Sequence, residues 1–230
     1  MPRLLKAVRP LLAVLIVTGC STSSGETGAA QTDEWITLFD GSSVDQWRGF
    51  GQDSFPDGWE IVDGALTRVN RGGDILSREQ FGNFELVLEW KVEEGGNSGI
   101  FFRATEEAEG TWRTAPEMQV LDDERHPDGQ NPLTSAGSNY GLYAPSEDVV
   151  RPAGEWNEAK ILADSAHVEF WLNGTKVVEY ELWSEEWEEK VANTKFVETP
   201  LYGRAHVGHI GLQDHGDVVS YRNIRVRRLP

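Results

Sequence analysis

The sequence predicts an all-β sandwich interrupted by one short helical insertion, and three observations lead there. Apolar and polar residues alternate in several short runs, the period of a half-buried strand. An Asn-Gly pair sits between two β-rich runs, the strongest short-range signal for a hairpin. Only one stretch of the domain carries a helical period, and no internal repeat is evident.

Taken in order, the chain opens with Arg3, Lys6 and Arg9, then the apolar run LLAVLIV, then VTGC ending at Cys20. A basic start, a short apolar run and small residues before a cut describe a secretory signal over residues 1–20. The run is too short to span a bilayer as a helix. VTGC resembles a bacterial lipoprotein signal, whose Cys becomes the lipid-bearing first residue; an ordinary signal peptide is the alternative. Cys20 is the only cysteine, so no internal disulfide can form. The expected localisation is the bacterial cell envelope, secreted and tethered to a membrane through lipid alone. Residues 21–34, STSSGETGAAQTDE, have no apolar period and read as a flexible tether. The remainder, 35–230, suits a single domain.

Within it, FELVLEWKV places Phe84, Leu86, Leu88, Trp90 and Val92 on one strand face. GIFFRA, EMQVLDD and HIGLQ follow the same alternation. HVEFWLNGTKVVEYEL is a hairpin turning at Asn173-Gly174, and by parity both Trp90 and Trp171 are assigned to the core. WSEEWEEKVANTKF is helical, with Trp183, Trp187 and Val191 at i, i+4 and i+8. VVSYRNIRVRRL closes the chain as a strand.

The formal net charge is −17, and signal cleavage removes three basic residues and no acid. Nucleic acid, which needs a basic stripe, is excluded as a partner. Polyanionic glycans are disfavoured on the same ground, leaving a neutral ligand. Parity then points to a site. Ile100, Phe102, Met118, Val120, Ile210 and Leu212 take the core side of three strands. Arg103, Glu117, Gln119, His209 and Gln213 take the other, and Gly211 leaves room there for a ligand. A merely solvated face is the alternative, but Arg, Gln, His and Glu beside Phe101 and Tyr140 suit a polyol. Trp112, in a loop-like stretch, is the candidate ligand wall.

EMQVLDDERHPDG is rich in carboxylates, yet it lacks a full calcium-loop pattern and reads as a polar loop. There is no nucleophile elbow, phosphate loop or dinucleotide fingerprint, and no cofactor is predicted. Acid–base chemistry remains: Asp214 and His215 leave a strand together, and Glu117 supplies a second carboxylate.

WITLFDGSSVDQWRG, GNFELVLEWKV, GGNSGIFFR, EMQVLDD and GHIGLQDHGDVVSYRNIRVRRL, in this order and spacing, resemble the 3-keto-disaccharide hydrolase domain family over residues 35–229. The resemblance implies a jelly roll similar to concanavalin-type lectins and glucanases. It also implies substrates already oxidised to a ketone at C3 by a separate sugar 3-dehydrogenase. Such a ketone acidifies the C2 proton, so a base can start an elimination that expels the glycosidic oxygen, and water added back completes a net hydrolysis. Glu117, Gln119 and Asp122 match the family's Glu-x-Gln-x-x-Asp strand, Arg103 the Arg closing NSGIFFR, Gln213, Asp214 and His215 the LQDHG, and Lys195 a Lys-Phe pair. Met118 and EWNEAKI depart from the common pattern. On this reading His215 and Glu117 exchange protons, with Asp214 beside them, while Arg103 and Lys195 serve the developing oxyanion. Asp122, Gln119, Gln213, Tyr140 and Trp112 contact the sugar. A non-catalytic glycan-binding module on the same fold is the alternative. The anchoring expectation has a direct check: Cys20→Ser should move the protein from the membrane to the soluble fraction of fractionated cells with its fold intact, and a variant that stays on the membrane places the anchor elsewhere.

Overall fold

The computed structural model describes residues 1–2 and 34–230, so the expected signal, Cys20 and nearly all of the tether lie outside the described residues. The first strands are β1 (Ile36–Phe39), β2 (Trp47–Gly49), β3 (Trp59–Val62), β4 (Ala65–Arg68) and β5 (Ile75–Phe81). Then come β6 (Phe84–Val92), β7 (Asn97–Ala104), β8 (Glu117–Leu121), β9 (Asn157–Asp164), β10 (His167–Leu172) and β11 (Thr175–Glu181). After helix α1 (Glu185–Ala192) the chain closes with β12 (Gly208–Leu212) and β13 (Val219–Arg228). An eight-stranded sheet runs β11-β10-β9-β6-β13-β4-β3, with β1 also on β13; a five-stranded sheet runs β2-β5-β12-β7-β8. Every pairing is antiparallel. This is a jelly-roll β-sandwich with a single α-helix among the described residues, and none of those residues forms a helix long and apolar enough to cross a membrane.

The core forms where alternation says it should. Phe84, Leu86, Leu88, Trp90 and Val92 of the larger sheet meet Ile100, Phe102, Met118, Val120, Ile210 and Leu212 of the smaller in one buried cluster. Full burial of such a side chain is worth about 1.5–3 kcal/mol. Asn173 and Gly174 both take positive φ, 50° and 84°, which is the type I′ turn that matches strand twist. Trp171 departs from its expected place: β10 alternates half-exposed and buried residues, and Trp171 lies on the outer face with Lys160 Nζ 3.9 Å from its ring centroid. The helix begins later than the apolar period suggests. Ser184 caps it by accepting the Trp187 amide, so Trp187 and Val191 form its buried stripe. Trp183 precedes the cap with φ 62° and packs on His206 instead.

Arg103 also departs from its expected place. Between the pairings Gly211↔Phe101 and His209↔Ala104, β7 spends one residue more than β12. That bulge puts Arg103 at φ 50° and takes its side chain off the outer face. Its guanidinium is buried, donating to Gly82 O at 2.9 Å and Ser165 O at 2.8 Å, and it lies over Trp183. It ties turns at one end of the sandwich. Beyond the same bulge, His209 is buried, with Nδ1 2.6 Å from Ser77 O and Nε2 3.0 Å from Gln80 and 3.2 Å from Arg48.

The two sheets are latched at the exit of β12. Asp214 Oδ1 accepts Arg68 Nε at 2.7 Å from β4 of the larger sheet, while Oδ2 accepts the Gly72 and Gly73 amides at 2.8 Å each. Arg68 also donates to Gly216 O at 2.6 Å. Burial alone would push the Asp214 carboxyl up; the two glycine amides and Arg68 outweigh it and hold the group below the usual carboxylate range. Its stabilisation is therefore present above the unfolded pKa near 4 and lost as pH falls through the lower folded value. Asp214→Asn should cost ~3 kcal/mol in urea unfolding at pH 7, because it leaves buried Arg68 without its counter-charge. The gap to the wild type should narrow in acid, and equal stability at pH 7 would show that the latch does not hold the sheets.

Candidate active site

The outer face of the five-stranded sheet is divided in two. Leu76, Phe101, Ala104 and Ala115 make a small dry cluster, with Phe50 and Trp112 packed against it. Beside it lies a recess of about 210 Å³ lined by Asn97, Trp112, Glu117, Gln119, Tyr140, Lys195, Gln213 and His215. Seven of these were predicted from the sequence. Four sit on adjacent strands or at their ends: Asn97 on β7, Glu117 and Gln119 on β8, and Gln213 just past β12. The others are brought in by 3-10 turns and loops: Trp112 in 111–113, Lys195 in 195–198, Tyr140 and His215 in connecting segments.

The glycine that makes room is Gly99, not Gly211. A Cβ on Gly99 would lie 2.1 Å from Glu117 Oε1, so the absent side chain is what lets the carboxyl fold back over β7. At Gly211 the corresponding space is filled by Leu76 and Phe101. Glu117 is thereby buried, and its pKa is pushed up to about 8. Desolvation is the cause; the Lys195 charge pulls the other way, the Asp74 and Asp128 charges reinforce the rise, and a hydrogen bond from Gln213 opposes it. Near neutrality desolvation keeps the proton on this group, so it is able to donate one.

Lys195 stands in an aromatic cage, Nζ 4.4 Å from the Tyr140 ring centroid and 5.3 Å from that of Trp112. Burial raises the Tyr140 phenol, as do the Asp128 and Glu117 charges and a hydrogen bond with Asp128. Gln119 donates to Thr134 O at 3.2 Å and accepts the Val120 amide, which fixes its orientation. Gln213 is held through its backbone, its amide on Gly99 O at 3.0 Å and its carbonyl receiving Ser98 Oγ. Its side-chain Oε1 is buried without a partner among the described residues, an acceptor free for a ligand hydroxyl. The His215 ring meets the His126 ring edge-on at 6.3 Å, and His126 lies 3.4 Å from Asn97 Nδ2.

Four residues read onto this face or site are not brought here, His209 among them, held instead by Ser77, Gln80 and Arg48. Asp214 spends its carboxylate on the latch, and Arg103 lies beyond the bulge. Asp122 turns away to accept the Gly95 and Glu124 amides, closing the loops at the end of β8. Asn97 was missed, although its parity with Gly99 in GGNSGIFFR is its signal. His126 and Asp128 came from the loop read as polar.

Residues 34–227 match the family of 3-keto-alpha-glucoside-1,2-lyase-like domains. A Bacteroides thetaiotaomicron protein named 3-keto-disaccharide hydrolase is 38% identical over 229 aligned positions, covering 86% of this chain and 79% of its own length. A solved Parabacteroides distasonis structure, designated a candidate glycosyl hydrolase, shares 30% identity and a TM-score of 0.79 over 85% of this chain and 94% of that one. The carbohydrate-binding module CBM66 from Bacillus subtilis, at 12% identity and a TM-score of 0.52 over 84% of this chain and 98% of its own, shares the fold alone. With almost the whole described domain matched, the chain belongs to the 3-keto-alpha-glucoside-1,2-lyase-like domain family.

Proposed function

We propose that this chain cleaves glycosides whose ring carries a ketone at C3, by elimination followed by hydration. The observation that carries the reading is Glu117: a buried carboxyl pushed up to about 8, in one recess with Lys195, Gln213 and His215. The family description and the relative's name support the substrate class, and a lyase step followed by water addition accounts for both words, lyase and hydrolase.

In this reaction His215 takes the C2 proton and the C2–H electron pair delocalises into the C3 carbonyl. Lys195, the cation in the recess, meets the charge that develops on that oxygen. The C1–O bond then breaks, the C1–C2 double bond forms, and Glu117 gives its proton to the departing oxygen. Water adds across the enone to release the free 3-keto sugar. Asn97, Gln119 and Gln213 address ring hydroxyls, and Trp112 and Tyr140 face the ring. The oxyanion role belongs to Lys195 alone, because Arg103 is committed elsewhere. The recess, at about 210 Å³, suits a single pyranose ring with the leaving group outside. Anchoring through Cys20 and supply of the ketone by a separate dehydrogenase belong to the same proposal.

Incubation with 3-keto-trehalose and 3-keto-lactose should release sugar, and in heavy water the product should carry deuterium at C2. Cleavage without C2 exchange indicates direct displacement by paired carboxylates instead, and saturable binding without cleavage leaves a glycan-binding module. His215→Ala should lower turnover at least about a hundredfold with the fold unchanged, since positioned proton transfer contributes 10²–10⁴-fold; an undiminished rate removes His215 from the chemistry.

Glu117 also ties activity to pH. Activity needs its protonated form and should fall as pH rises through about 8. The raised folded pKa means that its protonation supports the fold fully below the unfolded value near 4.3, with that support fading as pH climbs toward the folded value. Glu117→Gln should therefore abolish turnover yet raise stability at pH 7 by about 3–4 kcal/mol, and flatten the dependence of Tm on pH between those values. A variant no more stable than the wild type would place Glu117 in water.

A further inference from the structure

The segment before β5 and the exit of β12 hold each other by reciprocal bonds. Asp214 takes the Gly72 and Gly73 amides, and Asp74 Oδ1 takes the Asp214 amide in return at 2.9 Å. The next residue along is His215. Asp74 is itself a half-buried carboxylate, raised by its desolvation and eased by the Thr111 hydroxyl, the Asp214 amide and the His215 charge. Its charge also reaches Glu117. Latching alone does not explain this, because the Asp214 amide needs only an oxygen and a neutral side chain could supply one.

Building on the acid–base reading above, we propose that Asp74 is a positioning residue for the pair: its carboxylate fixes the turn that carries His215 and supplies the negative charge that both His215 and Glu117 face. Two carboxyls that interact through their charges titrate together, so the charge on Asp74 helps the proton stay on Glu117. The remaining charged and titratable groups around Glu117 are Lys195, Asp128, Tyr140, Tyr202 and Tyr221; Asp74 also faces Asp214 and Tyr221. Of these, Lys195 opposes retention of the proton and Asp128 supports it with Asp74.

Asp74→Asn separates the two contributions. Its side-chain oxygen still accepts the Asp214 amide, so the turn stays, while the charge is gone. The basic limb of the kcat–pH profile should move down by about one unit, and kcat should fall about fivefold at pH 8 and about tenfold at pH 9, with KM near the wild-type value, since one unit is a factor of ten in the protonation constant. Asp74→Glu should restore the limb. Carbon-13 NMR titration of the Glu117 carboxyl, in wild type and variant, reads the same shift without turnover. A limb and a Glu117 titration both unchanged in Asp74→Asn would overturn the proposal and leave Asp74 a structural latch. If the wild type turned over no keto-glycoside, the functional reading would fail, and the NMR titration would still decide the role of Asp74. Should the Asn variant not fold, Asp74→Ser, whose hydroxyl also accepts an amide, carries the same comparison.

Discussion

The Asp214 carboxylate is the interaction on which the rest of the active face depends. It binds a guanidinium from one sheet and two backbone amides from the loop that leads into the other, so the spacing of the sandwich and the path of the chain after β12 are set at one point. The side chain that follows it has no such anchoring of its own. His215 stands at the recess because its neighbour is immobilised behind it. A buried ion pair of this kind contributes more to defining one geometry than to net stability, since its desolvation offsets much of the attraction.

Around that fixed point the recess works against the fold. Burying an ionisable carboxyl beside other acids destabilises the folded state at neutral pH, and Glu117 is held there by the geometry of two strands. Register brings Gly99 opposite Gln119, two residues along β8 from Glu117, and the missing Cβ gives the carboxyl somewhere dry to lie. The compensation is spread over the core on the opposite side of the same strands, where Ile100, Met118 and Val120 are fully buried. Strands that are well packed on one face can carry a strained chemistry on the other.

Much of this was legible in sequence because alternation is a local property. Glu117, Gln119 and Gln213 were found from parity alone, and Trp112 from its place in a loop. The first kind of failure arises because parity holds only while the ladder is regular. One extra residue in β7 removed Arg103 from the face and left no trace in composition, while the dry cluster around Gly211 stands between His209 and the recess. Trp171 misled because an aromatic on a wet face, covered by a lysine stem, looks in sequence like one in the core. Asp214 misled in another way. It was read as a catalytic carboxylate at a strand exit, but its partners, Arg68 and the Gly72-Gly73 amides, are more than a hundred residues earlier, and nothing local announces them.

The dry cluster of Leu76, Phe101, Ala104 and Ala115 has a consequence for shape. The outer face of a sheet is by default an open trough, and a polymer lying along it could be gripped anywhere along its length. Here Trp112 touches both the cluster and the recess, so the trough stops at a wall. A ligand lying along this face meets that wall at one end and can extend only away from it. Ala104 and Ala115, the small residues of the cluster, are then the places where a larger side chain would bring the wall forward without replacing any residue that lines the recess.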